Sequence, residues 1–285
     1  MSKLSIITIN YNNAAGLKKT LDSVAAQTYM DFEHIIVDGA STDGSVDEII
    51  AYSQSPIANR HKITWLSEPD TGIYNAMNKG VRMAQGEYIL MLNSGDYLVD
   101  ENVIDNVIPL LDGIDIIQGN TIEEIKGGIF RNRGYGISNI DMCDILKGHF
   151  LHQASFCRKG LFARYGMFDE SYKVGGDTKF FMNCLGVNNA TFKYIDIDVS
   201  NYDLTGISAS QDKQVVTIRN EELVRIYDEL FSKRMQKYII NNAKKIRLYN
   251  KLSSNHLVWC LVMAIVHIYD WFHKESKNSN RQRIN

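Results

Sequence analysis

Four apolar runs, each closed by a polar turn and followed by residues at helical spacing, limit what this chain can fold into. The runs cover residues 4–9, 34–37, 63–66 and 88–92, and their turns cover 10–13, 38–45, 67–72 and 93–97. Between them Leu17, Leu21 and Val24, then Val46, Ile49 and Ile50, then Ile73, Met77 and Val81 recur with the helical period. An unbroken run such as Tyr88-Ile89-Leu90-Met91-Leu92 suits a strand covered on both faces. Alternation at this spacing predicts βαβ units, right-handed crossovers and a mostly parallel sheet flanked by helices. All four turns then share one sheet edge, where open α/β sheets take their ligands.

Those turns are rich in Asp, Asn, Ser and Gly, as folding alone requires. Folding does not require an acid at three of the four exits, yet Asp38, Asp70 and Asp96 stand there. A shared ligand site follows. No G-x-G-x-x-G opens the first helix, and no G-x-x-x-x-G-K-[ST] loop is present, so a bound diphosphate needs a metal or cationic side chains. A carboxylate at a strand mouth can hold a divalent cation, and the cation a diphosphate.

Past Asp96 the pattern loosens. Residues 103–111 look helical, 114–117 form a strand, 121–137 a glycine-broken hairpin, and 148–157 a strand approached through His149 and His152. Gly175-Gly176-Asp177 opens a helix, where Asp177 reads equally as an N-cap. Residues 191–196 form a last strand and 202–208 a flexible polar loop. Cys143, Cys157, Cys184 and Cys260 make no C-x-x-C pair, as expected of a reducing compartment, and with the two histidines match no zinc spacing.

The net charge of −2 over 285 residues gives no reason to expect nucleic acid as a partner. It is unevenly spread. Residues 1–212 carry 17 Lys+Arg against 27 Asp+Glu, and residues 213–285 carry 14 against 6. An acidic body and a basic tail face different partners.

Taken in order, residues 5–12, 36–45, 67–80 and 92–96, with Gly175-Gly176-Asp177, resemble the family 2 inverting glycosyltransferases of GT-A fold. The bacterial members that build cell-envelope polysaccharides look most similar, and the resemblance spans about residues 4–208. It implies transfer of a sugar from a nucleotide-sugar, UDP-linked by preference, to an acceptor hydroxyl. Asp38 would bind the base, with Thr8, Asn10 and Asn12 lining the base and ribose pocket. Asp70 would sit near the ribose and diphosphate, with Asn78 and Lys79 on the helix behind. Asp177 would be the general base. In the family's Asp-x-Asp metal motif Asn93 replaces the first acid and Gly95 stands where the second often does, leaving Asp96 to hold Mg²⁺ or Mn²⁺. Two other classes compete: a non-catalytic nucleotide-sugar-binding subunit, and a sugar nucleotidyltransferase. Asn10-Tyr11-Asn12-Asn13 argues against the second, which needs a Gly-rich, Arg-containing loop there.

Domain organisation follows as a catalytic domain over 1–210, with a donor half about 1–98 and an acceptor half about 99–210, and a basic amphipathic helical extension over 211–285. Residues 257–269 are apolar except for His267, with Trp259, Trp271 and Phe272 at the margins. Thirteen residues make a helix of roughly 20 Å, too short for a hydrocarbon core of about 30 Å. Such a helix would lie on an anionic membrane, beside a lipid-linked or saccharide acceptor, or pack on the body or on a second copy in a homodimer. With no signal segment near residue 1, the expected location is cytoplasmic, peripheral on the inner face of the cytoplasmic membrane.

Overall fold

The computed structural model describes residues 2–56, 60–125, 128–146 and 148–237. The segment 257–269 lies outside them.

The alternation in the sequence becomes β1 (Leu4–Asn10), α1 (Ala14–Ala25), β2 (Phe32–Asp38), α2 (Ser45–Gln54), β3 (Lys62–Ser67), α3 (Ile73–Met83) and β4 (Tyr88–Met91). Strands β1, β2 and β4 are buried along their whole length. Leu17, Leu21 and Ala25 of α1 pack with Ile36, Ile49 and Tyr52 on one face. Leu4, Ile6, Leu90, Phe156, Ile117 and Val199 form the larger core on the other. β1 pairs in parallel with β2 and β4, and β2 with β3. Asn10 lies opposite Asp38 and Asp38 opposite Ser67, so three polar exits end at one level.

The second half comprises β5 (Tyr97–Leu98), α4 (Val103–Val107), β6 (Ile116–Ile125), β7 (Gly128–Asn132), α5 (Met142–Ile145), β8 (Ser155–Arg158), α6 (Gly160–Tyr165), α7 (Gly176–Met182), β9 (Phe192–Tyr202) and α8 (Lys213–Leu230). The sheet order is β3-β2-β1-β4-β8-β6-β9-β5, with β7 on β6. Here the sheet is mixed. β8 runs antiparallel to both β4 and β6, while β6 and β9 are parallel. Direction matters for function. An antiparallel β8 begins at the ligand edge, and its lead-in turn, His152–Ala154, lies there too. The parallel β9 ends at that edge, delivering Tyr202 and Asp203. The expected strand over 148–157 is therefore a turn followed by a four-residue strand.

One compact unit runs from Met1 to Leu230 and a second from Phe231 to Asn285. The first continues past the expected boundary at residue 210, because α8 packs on the body. Glu222 of α8 accepts the N–H groups of Lys173 (2.6 Å), Val174 (2.9 Å) and Gly175 (2.8 Å). These three bonds, two of them buried, tie this helix to the loop before α7. Among the described residues no helix is long and apolar enough to cross a membrane.

Candidate active site

At the β1–β3 exits a carboxylate organises its neighbours. Asp38 has no exposed surface. Its Oδ1 accepts from Asn10 Nδ2 (2.8 Å) and Ser41 Oγ (2.6 Å), and its Oδ2 from Ser41 N (2.9 Å) and Ser67 Oγ (2.7 Å). Burial alone would raise its pKa, but these donors hold it below the usual carboxylate value. Asn10 is left with Oδ1 buried and unpartnered. Asp70 sits beside the same exits, its Oδ1 accepting from Gly72 N (3.0 Å).

The β4 turn holds Asn93 and Asp96. Asp96 is 4% exposed, and its Oδ1 accepts from Asp203 N (2.8 Å). Burial pushes its carboxyl up to about 7; the Asp203 charge adds to this, while His152 and the Asp203 N–H oppose it. Asn93 Nδ2 lies 3.3 Å from His152 Nε2, and Asn93 Oδ1 is buried without a partner. Oxygen donors of this kind suit Mg²⁺ or Mn²⁺ with a diphosphate completing the shell. Among the described residues no three His, Cys, Asp or Glu side chains gather as a self-sufficient metal site.

Across the edge stands Asp177, in the first turn of α7. Its Oδ2 is 3.1 Å from His152 Nδ1, and its Oδ1 accepts from Thr178 N (2.8 Å). The Tyr74 hydroxyl lies 2.6 Å from Val174 O and 3.2 Å from Asp177 Oδ1. That approach requires Gly176, since a Cβ there would meet the Tyr74 ring at 2.7 Å. Burial opposes ionisation of Asp177, but His152, the Thr178 N–H and Tyr74 together lower its pKa. For His152 burial also opposes charge, and the bond to Asp177 with the charges of Asp177 and Asp96 raises its pKa. The pair therefore holds its proton on His152 and leaves Asp177 ionised.

Two hollows meet here. A cleft of about 810 Å³ is lined by Asn10, Asp70, Asn93, Asp96, His152 and Asp203, among others. A smaller one of about 280 Å³ is lined by Phe150, His152, Asp177, Arg219 and Leu223, among others. His152, Tyr202 and Ser208 line both. The geometry suits two substrates facing one another across His152.

The expected residues divide accordingly. Asn10, Asp70, Asn93 and Asp96 come together in the cleft, and Asp177 lines the adjoining pocket. Asp38 lies beneath, at one remove. Thr8 is fully buried with Oγ1 3.0 Å from His34 Nε2, facing away from the cleft. Asn12 ties loops, its Oδ1 accepting from Thr42 N (2.8 Å). Asn78 is 1% exposed and bonds both ways with the Phe168 backbone. Lys79 reaches Pro69 O and Glu68 Oε1, each at 2.8 Å, bracing the third exit loop. Through these contacts Thr8, Asn12, Asp38, Asn78 and Lys79 brace the walls of the cleft. His152 was given no role from the sequence, and Tyr74, Tyr202, Asp203 and Glu222 were not singled out there. The two histidines ahead of β8 were the one available signal, and a structural role was the commoner explanation for them.

The family model for glycosyl transferase family 2 matches residues 5–169. The chain belongs to that family. A glycosyltransferase of PGL/p-HBAD biosynthesis from Mycobacterium bovis is 33% identical over 205 residues, covering 71% of this chain and 77% of its own. An uncharacterised glycosyltransferase from Mycobacterium tuberculosis is 29% identical over 229 residues, covering 75% and 79%. Among solved structures, S. aureus TarS 1–349 in complex with UDP-GlcNAc has a TM-score of 0.59 at 20% identity, covering 70% of this chain and 58% of that one. The mannosyltransferase PcManGT from Pyrobaculum calidifontis, with GDP-Man and Mn²⁺, has a TM-score of 0.60 at 18% identity, covering 80% and 64%. This chain thus spans less than two thirds of the solved chains, and the likeness to them is one of GT-A fold. As a family 2 glycosyltransferase the protein transfers a sugar. The competing nucleotidyltransferase reading falls with that assignment.

Proposed function

We propose that this glycosyltransferase moves a sugar from a nucleoside diphosphate, UDP by preference, to an acceptor hydroxyl with inversion at the anomeric carbon. The observation that carries the reading is the meeting of the two hollows at His152, with ionised Asp177 on the side of the smaller one. The donor lies in the larger cleft, its nucleoside over the β1–β3 exits and its diphosphate toward Asp96. An acceptor hydroxyl enters the smaller pocket. Its oxygen attacks the anomeric carbon, its proton passes to Asp177, and the bond from that carbon to the diphosphate oxygen breaks, releasing the nucleotide. Direct displacement needs no covalent nucleophile. His152 orients Asp177 through Nδ1 and stands between the two hollows. Mg²⁺ or Mn²⁺ held by Asp96 would offset charge on the departing diphosphate.

A screen of UDP- and GDP-sugars for slow donor hydrolysis identifies the donor, and early proton NMR of the transferred sugar gives its anomeric configuration. Inversion is expected. Retention in the first product formed, or the absence of any turnover, overturns the reading. The basic, aromatic-flanked tail supports a lipid-linked acceptor at the membrane surface. Flotation with anionic vesicles at low salt checks this by comparing the full chain with one ending at residue 237. Equal recovery of both in the unbound fraction retires the membrane contact.

A further inference from the structure

The turn after β4 lacks an acid at Gly95, and another part of the chain fills that space. Gly95 has φ +104, and a Cβ built on it would lie 2.3 Å from Asp203 Oδ2. Asp203 follows β9, at the far end of the sheet from β1. Its Oδ1 is used locally, accepting from Thr205 N (2.9 Å) and Thr205 Oγ1 (2.7 Å). Its N–H fixes Asp96 Oδ1. The Asp96 side chain lies in the cleft at 4% exposure. Asn93 Oδ1 and Asn10 Oδ1, from residues lining the same cleft, are buried and unpartnered. Oxygen atoms withdrawn from water and left without donors are what a hard cation satisfies.

We propose that Asp203 is a metal ligand, its carboxylate joining that of Asp96 to hold a divalent cation against the diphosphate of a bound nucleotide. The inference rests on the nucleotide-sugar reading above. Two carboxylates from two loops leave most of an octahedral shell to diphosphate oxygens and water, as Mg²⁺ accepts. The cation is therefore bound firmly only when nucleotide is present, in keeping with the absence of a three-residue cluster among the described residues.

The test uses the full chain and the probes Mn²⁺ and UDP. Free Mn²⁺ is followed by electron paramagnetic resonance, and UDP binding by calorimetry with and without the metal. In the wild type, UDP should tighten Mn²⁺ binding. Asp203→Asn keeps an acceptor for Thr205 but removes the charge, and it should weaken Mn²⁺ affinity in the presence of UDP by about tenfold or more. Without metal the same variant should bind UDP as well as the wild type or better, since a negative charge beside the diphosphate is gone. A merely structural Asp203 would weaken UDP binding in both conditions. Unchanged Mn²⁺ affinity in Asp203→Asn, or a wild-type Mn²⁺ affinity that ignores UDP, overturns the proposal while leaving the donor reading intact. Failure of the wild type to bind UDP overturns both.

Discussion

Asp38 organises the polar exits of three strands from a fully buried position. Its two oxygens accept four hydrogen bonds, so it fixes Asn10, Ser41 and Ser67. Asp38→Ala leaves those donors unpaired under the cleft. UDP binding should weaken by ~1–3 kcal/mol and the melting temperature should fall with it, since an unsatisfied buried donor costs about that much. Calorimetry and a thermal melt of the same preparation check this. Weaker binding at an unchanged melting temperature would return Asp38 to the ligand-contacting role that its sequence position suggested. The acid at that strand exit was legible from sequence. That Ser41, Ser67 and Asn10 saturate it was not, because two of these partners come from neighbouring strands.

At the scale of elements, the first four strands and their exits could be read directly, since apolar runs and helical spacing are local signals. The direction of β8 could not. Antiparallel entry is set by pairing with β4 and β6, and it alone decides that His152 reaches the ligand edge. The pairing of His152 with Asp177, 25 positions apart, likewise leaves no local pattern. α8 was legible as a helix, but its anchoring was not, because Glu222 reaches N–H groups 47 to 49 positions away. Glu222→Ala should cost more than about 2 kcal/mol of stability, given two buried donors and a third, half-buried one left open. Turnover should fall more than UDP affinity, because the loop it holds leads into Asp177 and not into the donor cleft. Denaturant unfolding with parallel kinetics decides it. A variant as stable as the wild type would show that other contacts hold α8.

For the whole molecule, pH acts through a buried relay on the side of the sheet that carries α2. His34 Nδ1 and His61 Nε2 each lie 3.0 Å from the Tyr52 hydroxyl. Burial, then the neighbouring His61, lowers the His34 pKa from 6.5 to about 3. Burial, then Arg60, lowers that of His61 to about 4. Both are neutral in the folded state and protonated in the unfolded chain below 6.5, so the unfolded chain binds more protons and stability falls as pH drops from 6.5 toward 4. Asp96, raised to about 7, acts in the opposite sense over that interval. His61→Gln should reduce the slope of stability against pH by about 1.4 kcal/mol per pH unit. An unchanged slope in urea titrations at several pH values would mean that His61 is protonated in the fold.

The central claim is that this family 2 glycosyltransferase activates its acceptor through Asp177, held ionised by His152. Asp177→Asn keeps the size of the side chain and its contacts with Thr178 and Tyr74 but cannot take the proton. The most direct measurement is turnover by this variant with the donor found in the nucleotide-sugar screen, beside its UDP dissociation constant. The account predicts a kcat lower by about 10²-fold or more, in the range of general-base contributions, with UDP affinity unchanged. Transfer at a near-native rate would contradict it.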